Sequence, residues 1–318
     1  MAKPVHILVI KLGALGDFIQ ALGPMASIRK HHPDAQITLL TTKPFEKFAK
    51  ECGYFDDIQI DQRPKFYNLS QWINLRQALN AGKFTRVYDL QNNDRTAFYL
   101  KLFKNNPEWI GAAPGASHQN NLPERTAGHA FDGHVQTLSL AGIHNVEIDT
   151  LDWMEGDLTT IATKTPYVLL VPGSAPERPE KRWPADKYGR LAEMISSMGF
   201  QLVLLGTDAE RAVTEEIADA CPHALDLTGR TNLQQIVTLA KGAAAAIGND
   251  TGPMHLIAAT GCPSLVLFSS HSDPVRHAPK GGSVDVLQKN DLKTLTSAEV
   301  IEHFHPRENA PKQSSTQH

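Results

Sequence analysis

One pattern restricts this chain more than any other. Short apolar runs end in a glycine or proline turn and lead into stretches with helical spacing of apolar residues. "HILVIK" opens the first series, and Gly13 and Gly16 follow it. A helix is then expected over about residues 17–30, where Ile19, Leu22, Ala26 and Arg29 trace helical steps and Ile28 flanks the stripe. "QITLLT" is a second strand, and "PFEKFAKECG" a short helix with Pro44 near its start and Gly53 at its end. "RVYDL" and "EWIGA" read as further strands, and "FDGHVQTLSLAGI" as a helix.

A second series opens at "YVLLVPGS". In "WPADKYGRLAEMISSMG", Pro184 suits a first helical turn, Tyr188, Leu191, Ile195 and Met198 form one stripe, and Gly199 suits the residue just past the end. "QLVLLG" is a strand, and "DAERAVTEEIADAC" a helix begun by Asp208. Thr231 and Gln234 have capping-box spacing ahead of "LQQIVTLAKG", as do Thr296 and Glu299 ahead of "VIEHF". "AAAAIGND" and "PSLVLFS" are expected as the last two strands.

Strands alternating with helices imply parallel sheets and right-handed crossovers. Two such series imply two Rossmann-like α/β domains facing a cleft, expected at residues 1–155 and 156–305. Residues 149–166 are irregular and read as the linker, and the polar tail 306–318 is expected to be disordered. Ligands of open α/β sheets bind outside the carboxyl ends of the strands, which puts the expected site in the cleft.

Composition narrows the function. A length of 318 residues suits two domains, and a 41% hydrophobic content suffices for their cores. The net charge of −3 argues against a molecule that binds nucleic acid through its overall charge. Cys52, Cys221 and Cys262 form no CxxC pair and read as small buried residues of a reducing compartment. The 14 histidines include no HExxH or HxxxH pair, so no metal site is expected. The first apolar run is too short to span a membrane, meets Lys11 at once and lacks the order of a signal peptide. A cytoplasmic monomer is expected, with peripheral contact to an inner membrane left open.

Three stretches carry chemistry. In "KLGALGD" the glycines stand three apart, which is not the dinucleotide fingerprint. Asp17 either caps the following helix, where the dipole favours it, or stands at the cleft to accept a proton. "PGSAPERPEKRWP" brings Ser174, Arg178, Lys181 and Arg182 into one loop, either a diphosphate clamp or a solvated basic loop. In "GNDTGPMHLIAATG", Asp250 is placed to cap a helix whose first turn is Thr251, Gly252 and Pro253. The N–H groups of Thr251 and Gly252 can then bind a phosphate oxygen, or the motif is simply a well-capped helix.

In this order, the stretches resemble the heptosyltransferase family, glycosyltransferase family 9. The resemblance rests on "KLGALGDFIQALGPM", "KRWPADKYGRLAEMI", "LTGRTNL" and "IGNDTGPMHLIAATGCPSLVLF", and covers most of residues 5–270. It implies a GT-B fold and an inverting, metal-independent transfer of heptose from ADP-heptose to a lipopolysaccharide inner-core acceptor. ADP-heptose is then a substrate, and no cofactor is implied. The absence of any Asp-x-Asp triplet agrees with this.

By the same resemblance, Asp17 is the catalytic carboxylate. Lys181, Ser174 and the backbone of Thr251 and Gly252 hold the donor diphosphate, and Asp250 caps the helix or meets the donor sugar. Asp208 meets the ribose or caps a helix, and residues 228–232, with Thr228 and Gly229 first, line the adenine pocket. His255 is either a packed helix residue or a ligand contact. The acceptor side takes Gly13, Gly16, Arg63 and Arg95, with Lys65, Lys101 and Lys104 either facing acidic groups or solvated. "SAPERPEKRWP" is longer than the family's plainer loops and carries two extra prolines. A nucleotide-sugar epimerase and a non-catalytic nucleotide-sugar-binding protein are the alternatives. A nicotinamide dehydrogenase is disfavoured by the glycine spacing.

Overall fold

A computed structural model describes residues 5–307, and the chain divides into two units between Asp149 and Thr150. The remainder of the tail expected to be disordered, residues 308–318, lies outside the described residues.

The first unit runs β1 (His6–Ile10), α1 (Leu15–His31), β2 (Gln36–Thr41), α2 (Glu46–Glu51), β3 (Asp57–Ile60), α3 (Leu69–Ala81), β4 (Arg86–Asp89), α4 (Asp94–Leu100), β5 (Glu108–Gly111), β6 (His118–Gln119), α5 (Glu124–Ala127) and α6 (Ala130–Ser139). The second runs β7 (Tyr167–Val171), α7 (Ala185–Ser197), β8 (Gln201–Leu204), α8 (Arg211–Ala220), β9 (Leu225–Asp226), α9 (Leu233–Gly242), β10 (Ala245–Asn249), α10 (Gly252–Ala259), β11 (Ser264–Phe268), α11 (Pro274–His277), β12 (Val284–Gln288) and α12 (Ser297–Glu302).

Both sheets are parallel throughout, in the orders β3-β2-β1-β4-β5-β6 and β12-β11-β10-β7-β8-β9. Read from the opposite edge, the second order repeats the first, so both units are Rossmann-like. In each, the first strand lies beside the fourth, and the chain leaves that point in opposite directions. This switch point is where open α/β sheets take ligands. The loops after β1 and β4 meet there in the first unit, and those after β7 and β10 in the second.

The strands read as unbroken apolar runs because both faces of the sheet are covered. Along β7, Val168 and Leu170 pack with Tyr188, Leu191 and Ile217. The alternate residues Tyr167, Leu169 and Val171 pack with Leu239, Met254 and Ile257 on the other face. Each fully buried aliphatic side chain here stabilises the fold by about 1.5–3 kcal/mol. Cys52, Cys221 and Cys262 are buried free thiols. Among the described residues, no helix is long and apolar enough to cross a membrane.

Several expected details shift. Helix α1 is buried almost all round from Phe18 to Met25, rather than along one stripe, while Ala26 and Arg29 are only partly covered. A β-carbon on Gly23 would lie 1.9 Å from the Glu147 carbonyl oxygen, so only glycine permits that approach. The box expected at Thr231 and Gln234 forms one residue later. Asn232 accepts from the Gln235 N–H at 2.9 Å, and Gln235 returns the bond at 3.0 Å. Burial of Ile236, Val237 and Ala240 sets that helical phase. Met198, expected in the stripe of α7, is exposed in the cap after the last turn. The strand β12 lies beyond the one expected to be last. The segment after the boundary is laid along α9: Lys241 Nζ donates to the carbonyls of Leu151 and Met154, both at 3.0 Å.

Candidate active site

In the second unit the site is organised by one buried amide. Asn249, at the end of β10, donates to the carbonyls of Pro172 at 2.6 Å and Gly173 at 3.4 Å. Its own oxygen accepts from the Trp183 N–H and the Tyr188 hydroxyl, both at 3.1 Å. Pro172 and Trp183 stand at opposite ends of the basic loop after β7, so a single side chain pins both ends. Within the loop, the Ser174 hydroxyl donates to the Arg178 carbonyl at 3.0 Å and accepts from Arg182 Nε at 3.0 Å. Arg182 also donates to the Ser174 carbonyl at 3.2 Å. Ser174 and Arg182 therefore brace the loop from within, and the Ser174 hydroxyl is engaged there.

The loop presents Lys181. Its ammonium donates to Asp250 Oδ2 at 2.6 Å, with side-chain exposures of 19% for the lysine and 8% for the aspartate. This pair decides against the cap, one of the two roles expected for Asp250. The cap position belongs to Thr251, which is extended and makes no side-chain capping bond. Asp250 stands one residue too early to reach the second or third helical N–H, and its carboxylate turns to the lysine instead. The N–H groups of Thr251 and Gly252 make no hydrogen bond among the described residues, so the positive end of α10 is open. His255 is buried in the same helix.

Beside this lies the turn after β8. The helix expected to begin with Asp208 starts at Arg211, and residues 208–210 form a 3₁₀ turn capped by Thr207, whose N–H and hydroxyl donate to Glu210 Oε2 at 2.8 and 2.6 Å. Thr207 wins because its short hydroxyl and the acid three residues on form a capping box. Asp208 is left exposed and pairs with Arg211. Gly229 closes over that pair with φ +71°, and a β-carbon there would lie 2.4 Å from Asp208 Oδ1. Thr228 is brought to the same place, but its hydroxyl turns inward to Thr214 Oγ1 at 2.9 Å. Gly173 packs on Glu210, joining this turn to the start of the basic loop.

In the first unit, the loop after β1 is tied to the loop after β4. The Leu12 N–H donates to Gln91 Oε1 at 2.8 Å, and Lys11 Nζ to the Leu90 carbonyl at 3.1 Å. Gly13 has φ +112°, and a β-carbon there would strike the Phe45 ring at 2.6 Å, so glycine is required. Gly16 is the second residue of α1 and Asp17 the third. The cap position is Ala14, so Asp17 does not cap the helix; it complements the dipole from within the first turn. Asp17 is partly buried and makes no hydrogen bond among the described residues.

Charge is concentrated around it. Burial lowers the Lys11 ammonium from its ordinary range, while the Asp17 and Asp89 carboxylates oppose that shift. Asp89 accepts from the N–H groups of Gln91 at 3.0 Å and Asn92 at 2.9 Å. Burial nevertheless pushes its carboxyl up to about 6. Burial, then the Lys11 charge, holds His134 well below the ordinary imidazole value. A raised carboxyl binds its proton more tightly folded than unfolded. Its stabilising contribution is full below about pH 4 and is lost as pH rises through about 6. His134 has the opposite sign, losing stability as pH falls below the ordinary imidazole range. Comparing Asp89→Asn with the native chain isolates the carboxyl: relative to native, the variant should gain about 2–3 kcal/mol between pH 4 and pH 7. Urea unfolding at a series of pH values measures this, and a constant difference would contradict it.

Arg63 and Arg95 flank Pro64. The Arg63 N–H donates to Asp61 Oδ1 at 2.7 Å, and Arg95 donates to the Pro64 carbonyl at 3.2 Å while lying over Trp72. Among the described residues, no three His, Cys, Asp or Glu side chains group as a metal site. Sequence reading missed Asn249, Lys11, Asp89 and Arg211. Lys11 had a signal, since it is a charged residue directly after the apolar run "ILVI".

Two Rossmann-like units define a two-unit α/β protein. One carries a carboxylate at its switch point, and the other a lysine beside an open helix N-terminus. The model of glycosyltransferase family 9 (heptosyltransferase) matches residues 143–303, just over half of the chain, and the chain belongs to that family. It is 23% identical over 296 residues to the lipopolysaccharide core heptosyltransferase OpsX of Haemophilus influenzae, a match covering 87% of this chain and 82% of that one. It is 36% identical over 119 residues to lipooligosaccharide heptosyltransferase 2 of the same organism. That match spans 36% of this chain and only about a third, 34%, of the relative's length. The Escherichia coli heptosyltransferase WaaC with ADP superposes with a TM-score of 0.73 at 18% identity, covering 94% of this chain and 98% of the other. The fold is of the GT-B type.

Proposed function

We propose that this protein is an inverting glycosyltransferase. It moves a heptose from ADP-heptose to a lipopolysaccharide inner-core acceptor, without a metal ion, as a monomer at the cytoplasmic face of an inner membrane. The observation that carries the reading is the Lys181–Asp250 pair at the open N-terminus of α10. A helix end that offers N–H groups and a lysine is suited to a diphosphate, and a carboxylate beside them is suited to sugar hydroxyls. The lipopolysaccharide core stands in the name of OpsX, and ADP is the ligand named for WaaC.

In this mechanism Asp17 takes the proton of the acceptor hydroxyl as its oxygen attacks the anomeric carbon. The bond from that carbon to the diphosphate breaks, and its electron pair leaves with ADP. One displacement inverts the centre. Lys181 and the N–H groups of Thr251 and Gly252 meet the charge growing on the departing phosphate, where prepositioned donors of this kind are worth about 3–4 kcal/mol each. When the donor arrives, Lys181 exchanges Asp250 for phosphate, and Asp250 becomes free to accept from the sugar. Asp208 and Gly229 take the ribose, with Thr228 supporting the turn. Ser174 holds the loop that carries Lys181. Gly13, Gly16, Arg63 and Arg95 serve the acceptor side.

A panel of nucleotide sugars tests this. ADP-heptose at 100 times its dissociation constant should stabilise the protein by about 2.7 kcal/mol in thermal unfolding. Heptosylated product should form only when acceptor is present. Conversion of the sugar without acceptor would instead make the protein an epimerase, and binding with no turnover would make it a binding module.

A further inference from the structure

The first unit carries an apolar face that its own core leaves uncovered. Phe66 is 91% exposed, Tyr67 67% and Leu69 71%, and Ile73 and Phe98 are about half exposed. Together they line a groove of about 920 Å³ between the segment before α3, α3 itself and α4. The groove is built rather than frayed. The Trp72 indole donates to the Lys65 carbonyl at 3.1 Å, and its ring meets Phe98 edge-on at 5.2 Å. Contiguous exposed apolar surface of this kind marks a docking site.

Its charge identifies the occupant. Lys65, Arg76 and Arg95 line the same groove, against one acid, Asp94. Residues 63–104 hold eight lysines and arginines and two acids in a chain whose net charge is −3; of these, Asp89 is buried and Arg86 is paired with Glu108. Aromatic and aliphatic side chains ringed by cations match the boundary between the acyl chains and headgroups of an anionic bilayer, where both kinds of contact add. A second copy of the chain fits poorly, because a two-fold pairing of this face would set its cations against each other.

We propose that this face docks the protein on an anionic membrane, with Phe66, Tyr67 and Leu69 entering the interface and Lys65 and Arg76 meeting lipid phosphates. This role deepens the function proposed above and rests on it for the lipid-linked acceptor. It is tested without donor or acceptor. The purified full-length chain should co-sediment with phosphatidylglycerol vesicles and much less with phosphatidylcholine vesicles, and salt should weaken the binding. The exposed pair Phe66→Ser and Leu69→Ser should reduce vesicle affinity about tenfold or more with an unchanged unfolding midpoint. Arg76→Glu should reduce it about tenfold on phosphatidylglycerol alone.

Failure of the native chain to bind, or unchanged affinity in the double variant, overturns the docking role. So does a dimer in light scattering that the double variant dissociates, which would assign the face to self-association. Transfer to a deacylated, soluble acceptor is measured separately and should be unaffected by the double variant. Absence of transfer by the native chain would count against the enzymatic reading and leave the vesicle result standing.

Discussion

Asp17→Ala is expected to lower transfer by about 10²–10⁴-fold, the range for a positioned general base, while the affinity for ADP stays nearly unchanged. The structure allows these effects to separate. Asp17 is not the cap of α1 and makes no hydrogen bond among the described residues, so its loss should cost the fold little beyond its contribution to the helix dipole, about 0.3–1 kcal/mol. Lys11 stays buried with its bond to the Leu90 carbonyl and keeps Asp89 as a counter-charge. Asp17→Asn preserves size and should be as slow as the alanine variant. Turnover near the native rate in either variant would remove Asp17 from the role of base. Parallel loss of ADP binding would contradict the separation of the two effects.

The second large effect is expected at Lys181. Lys181→Ala should weaken ADP and ADP-heptose about 100-fold, since a charge-assisted hydrogen bond is worth about 1.5–3 kcal/mol and a carboxylate is then left facing the diphosphate. That carboxylate is Asp250, which accepts from the Lys181 ammonium. Asp250→Asn should bind ADP at least as tightly as the native chain, because it frees the lysine, yet transfer more slowly because the sugar loses an acceptor. The double variant should recover part of the ADP affinity lost in Lys181→Ala, the coupling expected of two residues in contact. Calorimetry with ADP and rates with ADP-heptose measure both. Equal ADP affinity in native and Lys181→Ala proteins would place the diphosphate elsewhere.

The architecture was legible where burial is two-sided. β1, β2, β7 and β10 announce themselves as apolar runs because helices cover both faces of the sheet. The edge strands β3 and β12 did not, since their residues are largely exposed or half-buried and alternate weakly. The site was legible as residue types in loops, and less so as partnerships. Asp250 and Thr251 are both good caps and stand side by side, so local reasoning left the role of Asp250 open between cap and sugar contact. Its actual partner is 69 residues away. Asn249 lay inside a recognised motif, but its role depends on partners 61 to 77 residues distant. The basic residues of 63–104 were visible, whereas the groove formed by Trp72 and Phe98 is a product of packing.

The grip of Asn249 on both ends of the basic loop bears on how that loop can vary. A loop whose two feet are clamped to the sheet by one amide is insulated from its own length. Residues added between Ser174 and Lys181 alter the rim without shifting the strand ends beneath it. The entropic cost of lengthening such a loop is small, about 0.6 kcal/mol for each doubling. Insertion or deletion within the proline-rich "SAPERPEK" is thus expected to reshape the rim of the loop while Asn249 keeps its bonds to Pro172 and Trp183.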